Sequence, residues 1–214
     1  MLSILLGLIP SLLCITLHEL SHGFVAYKLG DDTAKRAGRL TLNPIKHLDP
    51  MGLLMMLVFH VGWAKPVPVN MNNFKNPKRD MAITALAGPV SNVLIGCVFL
   101  FIYGLIYFPC MANGSEISTT LLNMTYITAY LSFALAVFNI FPIPPLDGSK
   151  VLFSFMSDES YAKLMRYEQF GMILLLLLVA TDILGNPLQT ATTFLLNKLF
   201  VFAQWGAELA TMMM

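Results

Sequence analysis

Charge is the scarcest ingredient of this chain. Only 12% of its 214 residues are Asp, Glu, Lys or Arg, against about 25% in ordinary soluble domains. The net charge of +1 is uninformative, and no basic patch or stacking platform suggests a nucleic-acid partner, so none is expected. Cysteine is equally sparse. Cys14, Cys97 and Cys110 lie in or beside apolar runs with neither metal nor disulfide spacing, and read as small packing residues. No internal repeat, low-complexity tract or linker interrupts 1–214, which therefore reads as a single integral-membrane domain. The first apolar stretch has no basic flank before it and no small-residue cleavage site after it, so it reads as a retained helix rather than a signal peptide.

What fills the space is apolar sequence, 57% of all residues, gathered into runs from Ile4 to Leu17, Ala82 to Met111, Met124 to Pro145 and Phe170 to Leu184. A membrane span takes about 20 mostly apolar residues, and the second and third runs meet that outright. None of them has the polar face of a soluble core helix. A further moderately apolar helix is expected over 190–205, beyond the break at Gly185-Asn-Pro187. The expected fold is an all-α polytopic membrane protein with about five membrane helices.

Lysines and arginines cluster at 28–50, 64–80 and 150–168, whereas 110–123 holds none. Basic loops stay in the cytoplasm, so the first helix runs inward and 110–123 lies outside. Met51–Gly62 is apolar yet only about 18 Å long as a helix, too short to cross, and is basic on both sides. It reads as a re-entrant or hairpin excursion, which membrane depth tolerates only against protein or a cavity. Arg39–Pro44 and Trp63–Val69 read as extended segments around it, the second because Pro66 and Pro68 forbid a helix. Together they suggest a small surface β element.

His18-Glu-Leu-Ser-His22 carries the most chemistry. Residues i and i+4 share a helix face, so two imidazoles can hold one metal ion, with Glu19 on the flank as a general base toward water. The five-residue pattern alone is weak, and two histidines bonding across helices would also produce it. Its place at the end of an apolar run, where ionisable residues are costly, gives it weight. A hydrolytic zinc keeps three protein ligands. The third is offered by Asn139-Ile-Phe-Pro-Ile-Pro-Pro-Leu-Asp147-Gly148, where three prolines break the helix and present Asp147 on the same side of the membrane as the histidines. A loop carboxylate capping the next helix is the alternative. Asn92 and Asn139, amides within apolar helices, are candidates to hold substrate backbone or a developing oxyanion; a helix-to-helix hydrogen bond explains them as well. His47 and Asp49 are positioned for a histidine–carboxylate pair or a capped turn, His60 for a gate or an interfacial role, and Asp182 for a helix end.

Together, His-Glu-Leu-Ser-His-Gly at 18–23, Ala87-Gly-Pro-Val-Ser-Asn92 and Asn139…Pro142…Pro145-Leu-Asp-Gly148 resemble the signatures of the site-2 proteases, the intramembrane zinc metalloproteases. Leu42–Gly52 and Trp63–Val69 resemble stretches of the compact bacterial members, and the likeness extends from about residue 10 to 150. The resemblance implies one zinc per chain on His18, His22 and Asp147, with Glu19 as catalytic base. It implies a bacterial plasma-membrane endopeptidase that cuts the transmembrane segment of an anchored substrate near the cytoplasmic face. A lipid bilayer and a transmembrane substrate are the implied partners, and a homo-oligomer is compatible with them. The rival readings are a metal transporter, against which the absent repeat speaks, and an inactive scaffold, against which Glu19 speaks.

Overall fold

The computed structural model describes the backbone of residues 2–59 and 62–213. Among these, the chain forms helices α1 (Leu2–Lys28), α2 (Thr33–Arg36), α3 (Pro50–Phe59), α4 (Pro77–Asn113), α5 (Glu116–Ile140), α6 (Asp147–Ser154), α7 (Asp158–Ala180), α8 (Gly185–Leu199) and α9 (Val201–Met213). Three are long and apolar enough to cross a membrane: the Gly7–Lys28 part of α1, α4 and α5. Apolar side chains stay exposed along them, Leu94 at 62% and Val98 at 55% among others, as suits a surface solvated by lipid. The protein is an integral membrane protein.

The sequence led us to expect about five membrane helices; a fourth span arises only if Phe170–Ala180 and Gly185–Met213 count as one broken crossing. The reason lies in lengths. α7 opens with a polar stretch that leaves only residues 170–180 apolar. α8, with 15 residues, reaches about 22 Å against the roughly 30 Å of a hydrocarbon core.

By internal contacts the chain divides into two units. One comprises Met1–Cys14, Asn92–Val137 and Pro187–Met214; the other comprises Ile15–Ser91 and Phe138–Asn186. In the first, Cys97, Leu100, Ala129, Phe133, Leu196 and Ala203 form the core. Two of its buried hydroxyls are satisfied inside the protein, as suits lipid surroundings: Thr128 donates to the Met124 carbonyl at 2.7 Å and Ser132 to the Asn92 carbonyl at 2.8 Å.

In the second unit, the loop after α1 is tied to the chain entering α4. Asp31, fully buried, accepts from the Asn70 amide at 2.7 Å, the Asn73 side chain at 2.7 Å, and both the amide and hydroxyl of Thr33. Between these anchors, residues 63–69 run without helix. Lys65 donates to the His47 carbonyl at 2.9 Å and its own carbonyl accepts from Arg39 at 2.7 Å.

The expected β element is not formed. Among the described residues there is no strand, only one antiparallel bridge between Leu48 and Ala64. Pro66 and Pro68 cannot donate to a ladder, so pairing stops where it starts. Residues 40–42 fold into bends instead. The bridge nonetheless sets Leu48, two residues before α3, beside Ala64. His60 lies outside the described residues. His47 and Asp49 do not pair: the His47 ring meets the Thr41 carbonyl at 2.9 Å, and Asp49 caps α3 through the Gly52 amide at 2.8 Å. Asp182, at a φ of 54°, sits in the break between α7 and α8 as a helix-end residue.

The Asp31 carboxyl titrates below its ordinary value. Burial opposes its ionisation, but donation from Thr33, Asn70 and Asn73 outweighs burial. A depressed folded-state pKa means that its stabilisation is present above the unfolded value of about 3.9 and is lost as pH falls through the folded one. Asp31→Ala is expected to cost about 3 kcal/mol, the scale of two hydrogen bonds to a charged group. Thermal melts in detergent at neutral pH should show this cost, and the gap to wild type should narrow only below about pH 4.

Candidate metal centre

Three ligand atoms converge in the second unit. His18 and His22 stand one turn apart on α1, as a helical period of 3.6 residues requires. Their Nε2 atoms are 3.0 Å apart. Oδ2 of Asp147, at the start of α6, lies 3.2 Å from the first and 3.1 Å from the second. All three residues are buried, at 6%, 8% and 8% exposure.

The tautomer of His22 is fixed by its neighbour. Its Nδ1 lies 2.7 Å from the backbone carbonyl of Thr84 on α4, and a carbonyl can only accept, so Nδ1 carries the proton. In the neutral ring, Nε2 then presents a lone pair to a carboxylate oxygen and to a second imidazole nitrogen. Such a triangle calls for a proton or a metal cation within it. Ligands at about 2.0–2.2 Å in a tetrahedral zinc site are about 3.3–3.5 Å apart, within a few tenths of an ångström of the distances here. The donor set therefore fits zinc, with imidazole oriented by an outer carbonyl in the usual way.

Two glycines make the approach possible. At Gly88 on α4, a methyl group would come within 2.5 Å of Cε1 of His18 and 2.6 Å of Cε1 of His22. At Gly148, it would lie 2.7 Å from the Phe141 carbonyl oxygen and closer still to that of Ile140. Without side chains there, α4 can pass over the imidazoles and Asp147 can turn back against the end of α5.

The triangle opens on a cavity of about 390 Å³, also lined by Glu19, Val67, Thr84, Asn139 and Lys150. Glu19 Oε2 accepts from the Val67 amide at 2.8 Å, which anchors the carboxylate while its other oxygen is not engaged in that bond. Asn139 is thus brought to the site. Asn92 belongs to the other unit, fully buried, with its carbonyl accepting from Ser132. Side-chain chemistry could not single out Thr84 and Val67, because each contributes a backbone atom that any residue type would bring. Lys150 was visible only as a loop cation; its place three residues after Asp147 on α6 puts it on the same face.

Purified protein should carry close to one zinc per chain, and His22→Ala and Asp147→Ala should each abolish it. Gly88→Ala should weaken zinc binding by about 10- to 100-fold, the range seen when the outer partners of a metal ligand are disturbed. Zinc content and competition with a chelator would measure both.

Comparison with known proteins points the same way. The model of peptidase family M50 matches residues 104–180, which include Asp147 but not the histidine pair. YwhC of Bacillus subtilis, named as a candidate zinc metalloprotease, is 42% identical over 82% of this chain and 80% of its own length. Rip2 of Mycobacterium tuberculosis, named likewise, is 29% identical over 82% of this chain and 66% of its own. MJ0392 of Methanocaldococcus jannaschii, named a zinc metalloprotease, is 28% identical over 91% of this chain but 46% of its own length. No solved structure matches the chain. The chain belongs to peptidase family M50, the site-2 protease family, and is by that membership a zinc-dependent metalloprotease.

Proposed function

We propose that the protein is an intramembrane endopeptidase that cuts the transmembrane segments of anchored proteins close to the cytoplasmic face. The observation that carries this reading is the buried triangle of His18, His22 and Asp147, with Glu19 on the wall of the same cavity. A metal carrier has no use for a base beside its ligands. The clustering of lysine and arginine at 28–50, 64–80 and 150–168, around the cavity-forming segments, supports the cytoplasmic side.

His18, His22 and Asp147 would hold the zinc. When bound, it supplies Lewis acidity, lowering the pKa of water toward about 7 and polarising a carbonyl. Thr84 keeps His22 in the tautomer that presents its Nε2 lone pair. Glu19, anchored by the Val67 amide, takes a proton from the attacking water and passes it to the leaving amine. Asn139 on the cavity wall offers its amide to the substrate backbone or to charge developing on the carbonyl oxygen.

A helical substrate hides its carbonyls in intrahelical hydrogen bonds, so it must be drawn out into an extended form. The run Lys65–Pro68 is suited to receive such a chain along its edge, with a specific polarity. Pro66 and Pro68 have no N–H, and the amides of Lys65 and Val67 are already donated to His47 and Glu19. Only carbonyls remain, so the guest chain must supply the N–H groups.

Glu19→Gln should lower turnover by about 10²- to 10⁴-fold, the usual contribution of a general base, while zinc content stays at the wild-type level. Membrane proteomes of cells expressing either form would reveal single-span proteins that persist uncut only with the Gln form. Equal fragment patterns from the two would overturn the proposal.

A further inference from the structure

We propose that an apolar groove beside the metal cavity takes up bulky apolar side chains of the substrate next to the bond to be cut; this rests on the protease reading above. The groove encloses about 830 Å³, roughly twice the 390 Å³ of the metal cavity. One wall is the face of α4 that carries Ala82, Ile83 and Leu86, and the other is Val151 and Phe155 of α6. Positions 82 and 86, like 151 and 155, are one helical turn apart and line single faces. Ile83 is 42% exposed and Phe155 85%, so the walls face each other with room between them.

Continuity with the metal centre decides the occupant. Met71 lines the groove and the metal cavity alike. A chain whose carbonyl meets the His18–His22–Asp147 triangle therefore has neighbouring residues at the groove. An extended peptide advances about 3.3 Å per residue with alternating side chains, so a few residues bridge the two spaces. The groove is also held open from its rim. Lys78 donates to Asp158 at 3.0 Å and to the Met156 carbonyl, joining the start of α4 to the turn before α7. The Tyr161 hydroxyl donates to the Met71 sulfur at 3.2 Å, fixing the side chain that the two spaces share. These contacts need no ligand, so the apolar walls stand preformed.

The test uses the zinc-loaded protein in detergent and three hydroxamates, titrated by calorimetry. Acetohydroxamate reaches the metal alone; two others carry a Leu-Phe chain, one on the acyl side and one on the nitrogen. At least one extended probe should bind about tenfold or more tighter than acetohydroxamate, the yield of burying a large apolar side chain. Ile83→Arg and Phe155→Ser, both at exposed positions, should each remove that gain and leave acetohydroxamate unaffected. A gain that survives both substitutions, or no gain with either probe, would overturn the groove as a substrate subsite and leave it to a lipid chain. If wild-type protein bound none of the three, the metal-centre reading would fall and the groove with it.

Discussion

Three potential ligand atoms lie within 3.2 Å of one another, a spacing that calls for a proton or a metal ion between them, and much of the second unit is arranged to keep them there. The helical repeat of α1 sets two of the atoms on one face. The break after α5 swings the third into place. The Thr84 carbonyl holds one ring in the only tautomer that leaves its nitrogen open. Each of these devices brings one potential ligand atom to the common point at which the proposed zinc would gather all three.

The sequence pointed to the candidate ligands because their chemistry is a side-chain property at a fixed spacing, set where lipid makes ionisable groups expensive. His18, Glu19, His22 and Asp147 needed nothing else to be noticed. The supporting atoms did not show. A carbonyl at Thr84 and an amide at Val67 are common to every residue type, and only the path of the backbone brings them to the site. Gly88 lay between: a small residue in an apolar helix suggests close packing, but only the coordinates show that the close neighbours are the two imidazoles.

The fold was legible to a similar depth. Apolar runs located the long helices, while near the C-terminus the apolar part of α7 and the whole of α8 are each too short to cross alone, so three spans, or four with the bent pair, stand where about five were expected. Extended character at 63–69 was readable from prolines, but the same prolines prevented the ladder that extended character suggested. His47 and Asp49 were near enough in sequence to pair, but Asp49 accepts instead from the Gly52 amide in the first turn of α3. In each instance, the local tendency was right and the choice of partner was made by geometry.

The run Lys65–Pro68 has a consequence for how copies of this protein coexist in one bilayer. Exposed backbone edges ordinarily invite identical edges to zip together, each offering donors to the other's acceptors. An edge that retains acceptors alone has nothing to exchange with its twin. If the run receives a substrate chain as proposed above, that chain brings the donors, whereas a second copy of the same run brings none.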